Sequence, residues 1–380
     1  RFDNKALVSA TPIILSDPRF AEQGFSLVQI VPDYDYRKEI SIVHTNNVLE
    51  TLKVTISQIQ KSQTEPRSIC FFINSTDMIY QLIHKLGIME ESAVFCATKS
   101  VDKLKRKGFK YAYENWDKAK MKHYNFFTSR FYTALDIELE EKPDVIFVTE
   151  PYFSEYTAID PATDVVQSIG RFRNGTSTNW HIVCTHSGFP IRTKEGITEY
   201  LNASAHAYKT IQSLYETATT LEARNAFRNA LEVLPFKRML RNGKIDHFAI
   251  DNYIDEEIVK SSYNNIEMLM ERYAQSGMFN IKRMPSLIYQ FGESDRLKLV
   301  SKSNDIKEVR KQIVSILETL KNDIDSQLVQ SHIAELRQVD SFIVEAYEKV
   351  GKEIIELHNY SRKKIKESMI LKQYLSLIHI

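Results

Sequence analysis

Long apolar runs are missing from this chain of 380 residues. No stretch approaches the ~20 consecutive apolar residues that a membrane-crossing helix needs, and no secretory leader is visible. Cysteine is scarce: Cys70, Cys96 and Cys184 lie far apart in or beside apolar runs. With no Cys-x-x-Cys pair and no accompanying histidine, neither a zinc site nor a disulfide framework is indicated. Buried free thiols in a reducing, cytoplasmic setting are the expectation instead. Excess charge is missing too. Fifty Lys and Arg against 49 Asp and Glu leave a formal net charge of +1. No global field therefore draws the molecule to nucleic acid or membrane, and any such binding must come from local patches. There is no repeat of fixed period and no low-complexity segment.

What is present is ample core material. Hydrophobic residues make up 43% and charged residues 26%, a balance that buries real cores, and the length points to two domains. Up to about residue 190, short runs rich in Val, Ile and Phe alternate with helical stretches. The runs are Lys5–Thr11, Arg67–Asn74, Glu91–Thr98, Tyr124–Ser129, Pro143–Glu150 and Trp180–His186. Most are continuously apolar, as parallel strands buried on both faces are. Between them, Asp77–Leu86 places Ile79, Leu82, Ile83 and Leu86 at helical spacing. Strand and helix in alternation predict an α/β layer with a parallel sheet. Beyond residue 190 amphipathic helices dominate. One stripe runs through Ile306, Val309, Ile313, Ile316, Leu317, Leu320 and Ile324, another through Ile333, Leu336, Ile343, Tyr347, Val350, Ile354 and Leu357. Both are packing faces of a helical domain.

In an open α/β sheet, chemistry gathers at the carboxyl ends of the strands. After one predicted strand comes Asn74-Ser75-Thr76, opening a helix. Free backbone N–H groups and hydroxyls there suit a phosphate, although plain N-capping accounts for the same residues. After the next strand, six basic residues from Lys99 to Lys110 run into the aromatics Phe109, Tyr111, Tyr113 and Trp116. Such interleaving fits a nucleic-acid strand, or simply a solvated helix face. After a third come Thr128, Ser129 and Arg130, then Asp136. The most telling stretch is DVVQSIGRFRNG, Asp164–Gly175. A helix beginning near Thr163 or Asp164 places Gln167, Gly170 and Arg171 on one face. Glycine there weakens the helix, so its missing side chain is expected to serve close approach. Arg171 offers a planar, permanently charged fork to a phosphate. Arg173 lies about 200° further round an ideal helix, so both arginines meet one ligand only if the helix ends near Phe172; Asn174-Gly175 is a plausible stop.

These residues carry a resemblance. Leu7–Pro12 (LVSATP), the FFINST turn, TSRFYTALDI and QSIGRFRNG resemble, in order, motifs III, IV, V and VI of superfamily 2 helicases of the DEAD/DEAH-like kind. The resemblance covers residues 5–187. It implies a RecA-like parallel sheet domain followed by a mostly helical accessory domain, with residues 1–20 the tail of a first RecA-like domain and linker, 21–190 the second RecA-like domain and 191–380 the accessory domain. It implies that Ser9 and Thr11 couple nucleotide state to the nucleic-acid track, and that Asn74, Ser75, Thr128 and Ser129 lie along a phosphate backbone. Asp136 falls near the nucleotide ribose or the domain interface. Gln167 and Gly170 belong to the nucleotide site, and Arg171 and Arg173 are its candidate arginine fingers. Two positions depart from the pattern: Ala134 where glycine is usual, and Asn174 where the second arginine more often stands. Arg171 is therefore the firmer assignment.

A motor of this type also needs a phosphate cradle, G-x-x-x-x-G-K-[ST], and an acidic pair for magnesium. The chain has no such cradle. The resemblance accounts for the gap, since motif III closes the first motor domain. The expectation is thus the C-terminal part of an ATP-dependent helicase or translocase. ATP and Mg2+ would be held mainly by a first domain, no metal would be bound by these residues, and the track would be nucleic acid, DNA ahead of RNA. Residues 1–380 alone would not turn over ATP. The competing reading is a non-catalytic module with a RecA-like fold that binds nucleic acid or a protein.

Overall fold

The computed structural model describes residues 6–11, 15–133, 135–151, 155–289, 292, 306–321 and 327–378. It divides into two compact units, Arg1–Val43 with Ile56–Met284, and His44–Thr55 with Pro285–Ile380.

In the first unit the apolar runs form a parallel sheet. Its strands are β1 (Lys38–His44), β2 (Ile69–Phe72), β3 (Ser92–Phe95), β4 (Ala112–Tyr113), β5 (Tyr124–Phe127), β6 (Asp144–Thr149), β7 (Asn179–Val183) and β10 (Phe279–Arg283). Two short strands, β8 (Leu240–Arg241) and β9 (Lys244–Ile245), make a separate antiparallel ribbon. Among the described residues the main sheet has eight strands in the order β10-β1-β7-β6-β2-β5-β3-β4. This is the α/β layer expected of a RecA-like domain.

Strands β2, β3, β5 and β6 are buried at every position, which is why they read as unbroken apolar runs. Parallel register puts Phe95 beside Phe127, Phe127 beside Phe72 and Phe72 beside Phe147. Their rings stack across four strands with centroids 5.1, 5.3 and 5.1 Å apart. Phe71 and Phe126 stack at 4.5 Å, one residue earlier on β2 and β5 and so on the opposite face. Helices α1 (Pro18–Glu22) and α2 (Val48–Ser62) stand before and after β1 in the chain. Helix α3 (Thr76–Leu86) buries Met78, Ile79, Leu82 and Ile83, and ends on Gly87, whose φ of 71° is the left-handed turn that stops a helix. Cys70, Cys96 and Cys184 are all buried, and burial pushes the Cys96 thiol up to about 12.

The sheet does not end at residue 190. Helices α6 (Lys194–Thr217), α7 (Leu221–Val233), α8 (His247–Ser262) and α9 (Ile266–Ser276) intervene, and the chain then returns as β10 beside β1. The expected boundary follows the loss of apolar runs, but β10 is an edge strand whose Asn280, Lys282 and Arg283 are exposed. Val259, Tyr263, Leu269, Tyr273 and Phe279 share one core with the central strands, so α9 and the end of α8 belong to this unit. Under them lies a buried polar chain. His181 is hydrogen-bonded through Nε2 to Thr149 Oγ1 at 3.0 Å and through Nδ1 to Tyr273 Oη at 2.7 Å. Burial pulls its imidazole down to about 3, so it is neutral. The strand expected at Lys5–Thr11 is also absent: residues 6–11 are irregular, with Leu7 and Val8 exposed. Strand propensity needs a neighbouring strand to act on.

The second unit is helical where described, apart from the segment near Leu287, whose backbone N–H donates to His44 O at 2.9 Å. Its C-terminal helices are α10 (Ile306–Leu320), α11 (Gln327–Leu357) and α12 (Arg362–Ile378). Ile313, Leu317 and Leu320 from the first stripe pack with Ile333, Leu336, Ile343 and Val350 from the second. Ile306 and Leu357 are exposed stripe ends, and Ile324 lies outside the described residues. The run α11 is broken at Asp340 (φ −147°) and Gly351 (φ 81°). At the first break, Arg310 Nε donates to Asp340 Oδ2 at 2.9 Å, and its Nη1 donates to Tyr360 O at 3.0 Å.

Candidate functional site

Strand order fixes where the chain reverses. From β2 the chain builds to one side through β3, β4 and β5, then crosses to the other side of β2 for β6 and β7. The carboxyl end of β2 is therefore a topological switch point, where open α/β sheets bind ligands.

Asn74 sits there. Its Oδ1 is buried and has no hydrogen-bond partner among the described residues, an unsatisfied acceptor that carries a cost in a folded interior. Ser75 is buried and caps α3, accepting from Met78 N at 3.3 Å; its hydroxyl is spent on the helix. Thr128, at the end of β5, donates from its backbone N–H to Phe95 O at 3.2 Å, and Ser129 is exposed beside it. The next residue, Arg130, reaches Glu114 beyond β4 at 3.4 Å. A hydrogen bond from Thr98 and the Arg130 charge hold the Glu114 carboxyl below its ordinary range. This edge is a row of small polar groups set on the rigid phenylalanine ladder.

The basic-aromatic stretch resolves differently from a stacking platform. Phe109 is buried and Trp116 packs against the core. Lys103 and Lys107 of the region around α4 (Thr98–Arg106) both pair with Asp77, at 2.5 and 2.9 Å. Lys122 lies 3.0 Å from the Tyr111 ring centroid. The interleaved aromatics face inward or carry a lysine, not a free ring face.

The glutamine–glycine–arginine stretch begins earlier than the spacing predicts. Asp160 is the N-cap and Pro161 the first helical residue. Pro161–Val165 is a π-turn that runs directly into α5 (Val166–Gly170). Aspartate before proline is a readable start signal. The helix stops at Gly170. Ile137 and Phe172 then form a parallel bridge, Ile137 N donating to Arg171 O at 2.8 Å and Arg173 N to Ile137 O at 3.1 Å. Phe172 turns inward, its ring 6.2 Å from that of Phe72 and edge-on to it. The arginines on either side of it meet at a single carboxylate: Arg173 Nη2 lies 2.6 Å and Arg171 Nη1 3.8 Å from Asp136 Oδ1. The early helix end is the condition under which both can face one ligand. Asn174-Gly175 follows as a turn, with Gly175 at φ 83°.

Arg171 is steadied by its own helix, Nε donating to Gln167 O at 3.1 Å. Gln167 Nε2 donates to Thr11 Oγ1 at 2.6 Å, and Thr11 N donates to Ser9 Oγ at 3.1 Å. The N-terminal Ser-x-Thr segment is thus brought to the glutamine. A Cβ built on Gly170 meets no atom of the described residues within 4 Å outside its own helix and chain neighbours. The glycine serves no close approach inside the described structure; any such approach is to something outside it. Gln167, Arg171, Arg173 and Asp136 thus form one cluster, with Ser9 and Thr11 joined through Gln167. Asn74, Thr128 and Ser129 line the strand ends, with Ser75 beneath them.

Two guanidinium groups and an amide are donors suited to phosphate oxygens, not to a divalent cation. Among the described residues no group of three or more His, Cys, Asp or Glu is placed to hold a metal. None of their helices is long and apolar enough to cross a membrane.

No protein-family model matches the chain, and no curated protein matches it. Among solved structures it is similar to one described as Mss116p DEAD-box helicase domain 2 bound to an RNA duplex, at 10% identity and a TM-score of 0.27, covering 79% of this chain and 86% of that one. It is also similar to the Pyrococcus furiosus Hef helicase domain, at 11% identity and a TM-score of 0.26, covering 87% of this chain and 71% of the other. At these TM-scores neither likeness bears on the chemistry of this chain, which rests on its own residues.

Proposed function

We propose that this chain is the C-terminal motor portion of an ATP-dependent nucleic-acid helicase or translocase. The observation that carries this is the convergence of Arg171 and Arg173 on one carboxylate, next to a glutamine tied to the Ser9–Thr11 segment. A carboxylate is a small anionic stand-in for a phosphate, and a fork of two guanidinium groups around it is the arrangement a phosphoryl-transfer site uses to neutralise developing charge. ATP and its Mg2+ would be held by a P-loop domain, with Arg171 and Arg173 completing the site as that domain closes. Magnesium supplies charge neutralisation on the phosphates. The residues here orient the nucleotide and report its state through Gln167 to Thr11. Asn74, Thr128 and Ser129 would follow the backbone of a nucleic-acid strand, Asn74 offering a buried polar atom that lacks a partner among the described residues. The fold and the polar strand ends leave DNA and RNA equally served.

The test is ATP turnover by this chain joined to its P-loop domain, with and without single- and double-stranded DNA and RNA. Stimulation by one of them is expected. Tight oligonucleotide binding with no stimulated turnover would overturn the motor reading in favour of a non-catalytic binding module, which the lack of a phosphate cradle in these residues also fits.

A further inference from the structure

The arginine-bearing helix is gripped at its start by the helical segment that precedes β10. Arg272 of α9 donates from Nε to Asp160 Oδ1 and from Nη2 to Asp160 Oδ2, both at 2.9 Å. Asp160 is 2% exposed. The same carboxylate accepts from Ala162 N at 3.1 Å and from the Thr163 hydroxyl at 2.9 Å. One residue earlier, Tyr263 donates from its hydroxyl to Ile159 O at 2.6 Å. Residues 104 and 112 positions away in sequence thus hold Ile159 and Asp160 in place.

What they hold is a π-turn. Val165 N donates to Asp160 O at 3.1 Å, five residues back, where an α-helix would bond four back. Each residue of a helix turns the chain by about 100°. A one-residue change of register at this turn would therefore rotate the face carrying Gln167 and Arg171 by about that angle. The cap that Arg272 orients sets that phase.

We propose that Arg272 is a positioning residue for the arginine pair. By clamping the Asp160 cap it fixes the wide turn, and the wide turn aims Arg171. This rests on the motor reading above. It assigns to α8–α9 a part in turnover that no motif of the sequence marks.

The test uses this chain joined to its P-loop domain. Steady-state turnover is measured for wild type, Arg272→Ala, Arg272→Lys, Arg171→Ala and the double variant Arg171→Ala/Arg272→Ala, with amide hydrogen exchange across residues 161–173. Misplacement by about an ångström can cost on the order of 100-fold in rate. Arg272→Ala is expected to lower kcat by about 10- to 100-fold, with KM for ATP and oligonucleotide affinity within about threefold. Arg272→Lys keeps the charge but not the two-point fork and should recover part of the loss. Faster exchange should be confined to residues 161–173, and the double variant should be no slower than Arg171→Ala alone. If Arg171→Ala collapses turnover while Arg272→Ala leaves kcat within threefold of wild type, the positioning role is wrong and the motor reading survives. A loss that Arg272→Ala imposes equally on the Arg171→Ala background, with exchange raised throughout the unit, also overturns it as mere destabilisation. Unchanged turnover in Arg171→Ala removes the finger role of Arg171 and the positioning role with it, while the motor reading stands on the stimulated turnover.

Discussion

Phe172 decides the geometry of the site. Two arginines at i and i+2 of a continuous helix would diverge by about 200°. With Phe172 committed to the aromatic core and bridged to Ile137, the arginines beside it share Asp136. Asp136 and Arg173 are about half exposed, so the pair is a poor source of stability. Asp136→Ala should shift the thermal midpoint by no more than about 2 °C; a larger fall would mean that the carboxylate is a structural post. Gly170 separates fold from function more sharply. Alanine there has open space and a helical backbone, so Gly170→Ala should leave stability unchanged or raise it by up to about 1 kcal/mol. If the missing side chain serves a ligand, the same variant should lose nucleic-acid-stimulated turnover. Denaturant midpoints and turnover measured together check both halves, and full activity would show that nothing approaches the glycine.

At the scale of elements, legibility followed burial. Five strands could be read because both their faces are covered. Three others of the main sheet could not: β1 opens on exposed Lys38 and Glu39, β4 has only two residues, and β10 is a polar edge. Single-strand patterning carries no sign of what lies beside an edge. The arginine helix was legible from about Thr163 or Asp164 onward, but its start at Pro161 and its π-turn were not, because that turn is held by Arg272 from a distant helix. His181, Tyr263 and Tyr273 show no motif spacing for the same reason: they meet only in the fold.

Two predictions belong to this scale. Phe72 touches Phe127, Phe147, Tyr132 and Phe172. Phe72→Ala should cost about 3–5 kcal/mol by chemical denaturation, whereas a loss under about 1 kcal/mol would mean that the ladder collapses around the gap. Asp164, behind the cap, is pushed up to about 6 by burial, with Asp160 and Asp255 adding in the same direction against the Asp160 N–H that it accepts. Its folded value lies above the unfolded one near 3.9. Its contribution is therefore fully present below about pH 4 and is lost as pH rises through about 6. Asp164→Asn should raise the thermal midpoint at pH 8, with a gain that shrinks toward pH 4. An equal shift at both pH values would contradict the burial cause.

At the scale of the molecule, near-neutral charge leaves recognition to local groups, and the carboxyl edge of the sheet concentrates them. The three-helix core of the second unit is closed by its own apolar stripes and by the Arg310–Asp340 pair. The chemistry proposed here sits entirely in the first unit. The most direct measurement is stimulated ATP turnover at saturating nucleotide by this chain joined to the P-loop domain that the proposal requires, comparing wild type with Arg171→Ala. An arginine that completes a phosphoryl-transfer site is worth ~10³–10⁵ in rate, so a fall of about 1,000-fold or more is expected. Turnover within about tenfold of wild type would contradict a finger role for Arg171.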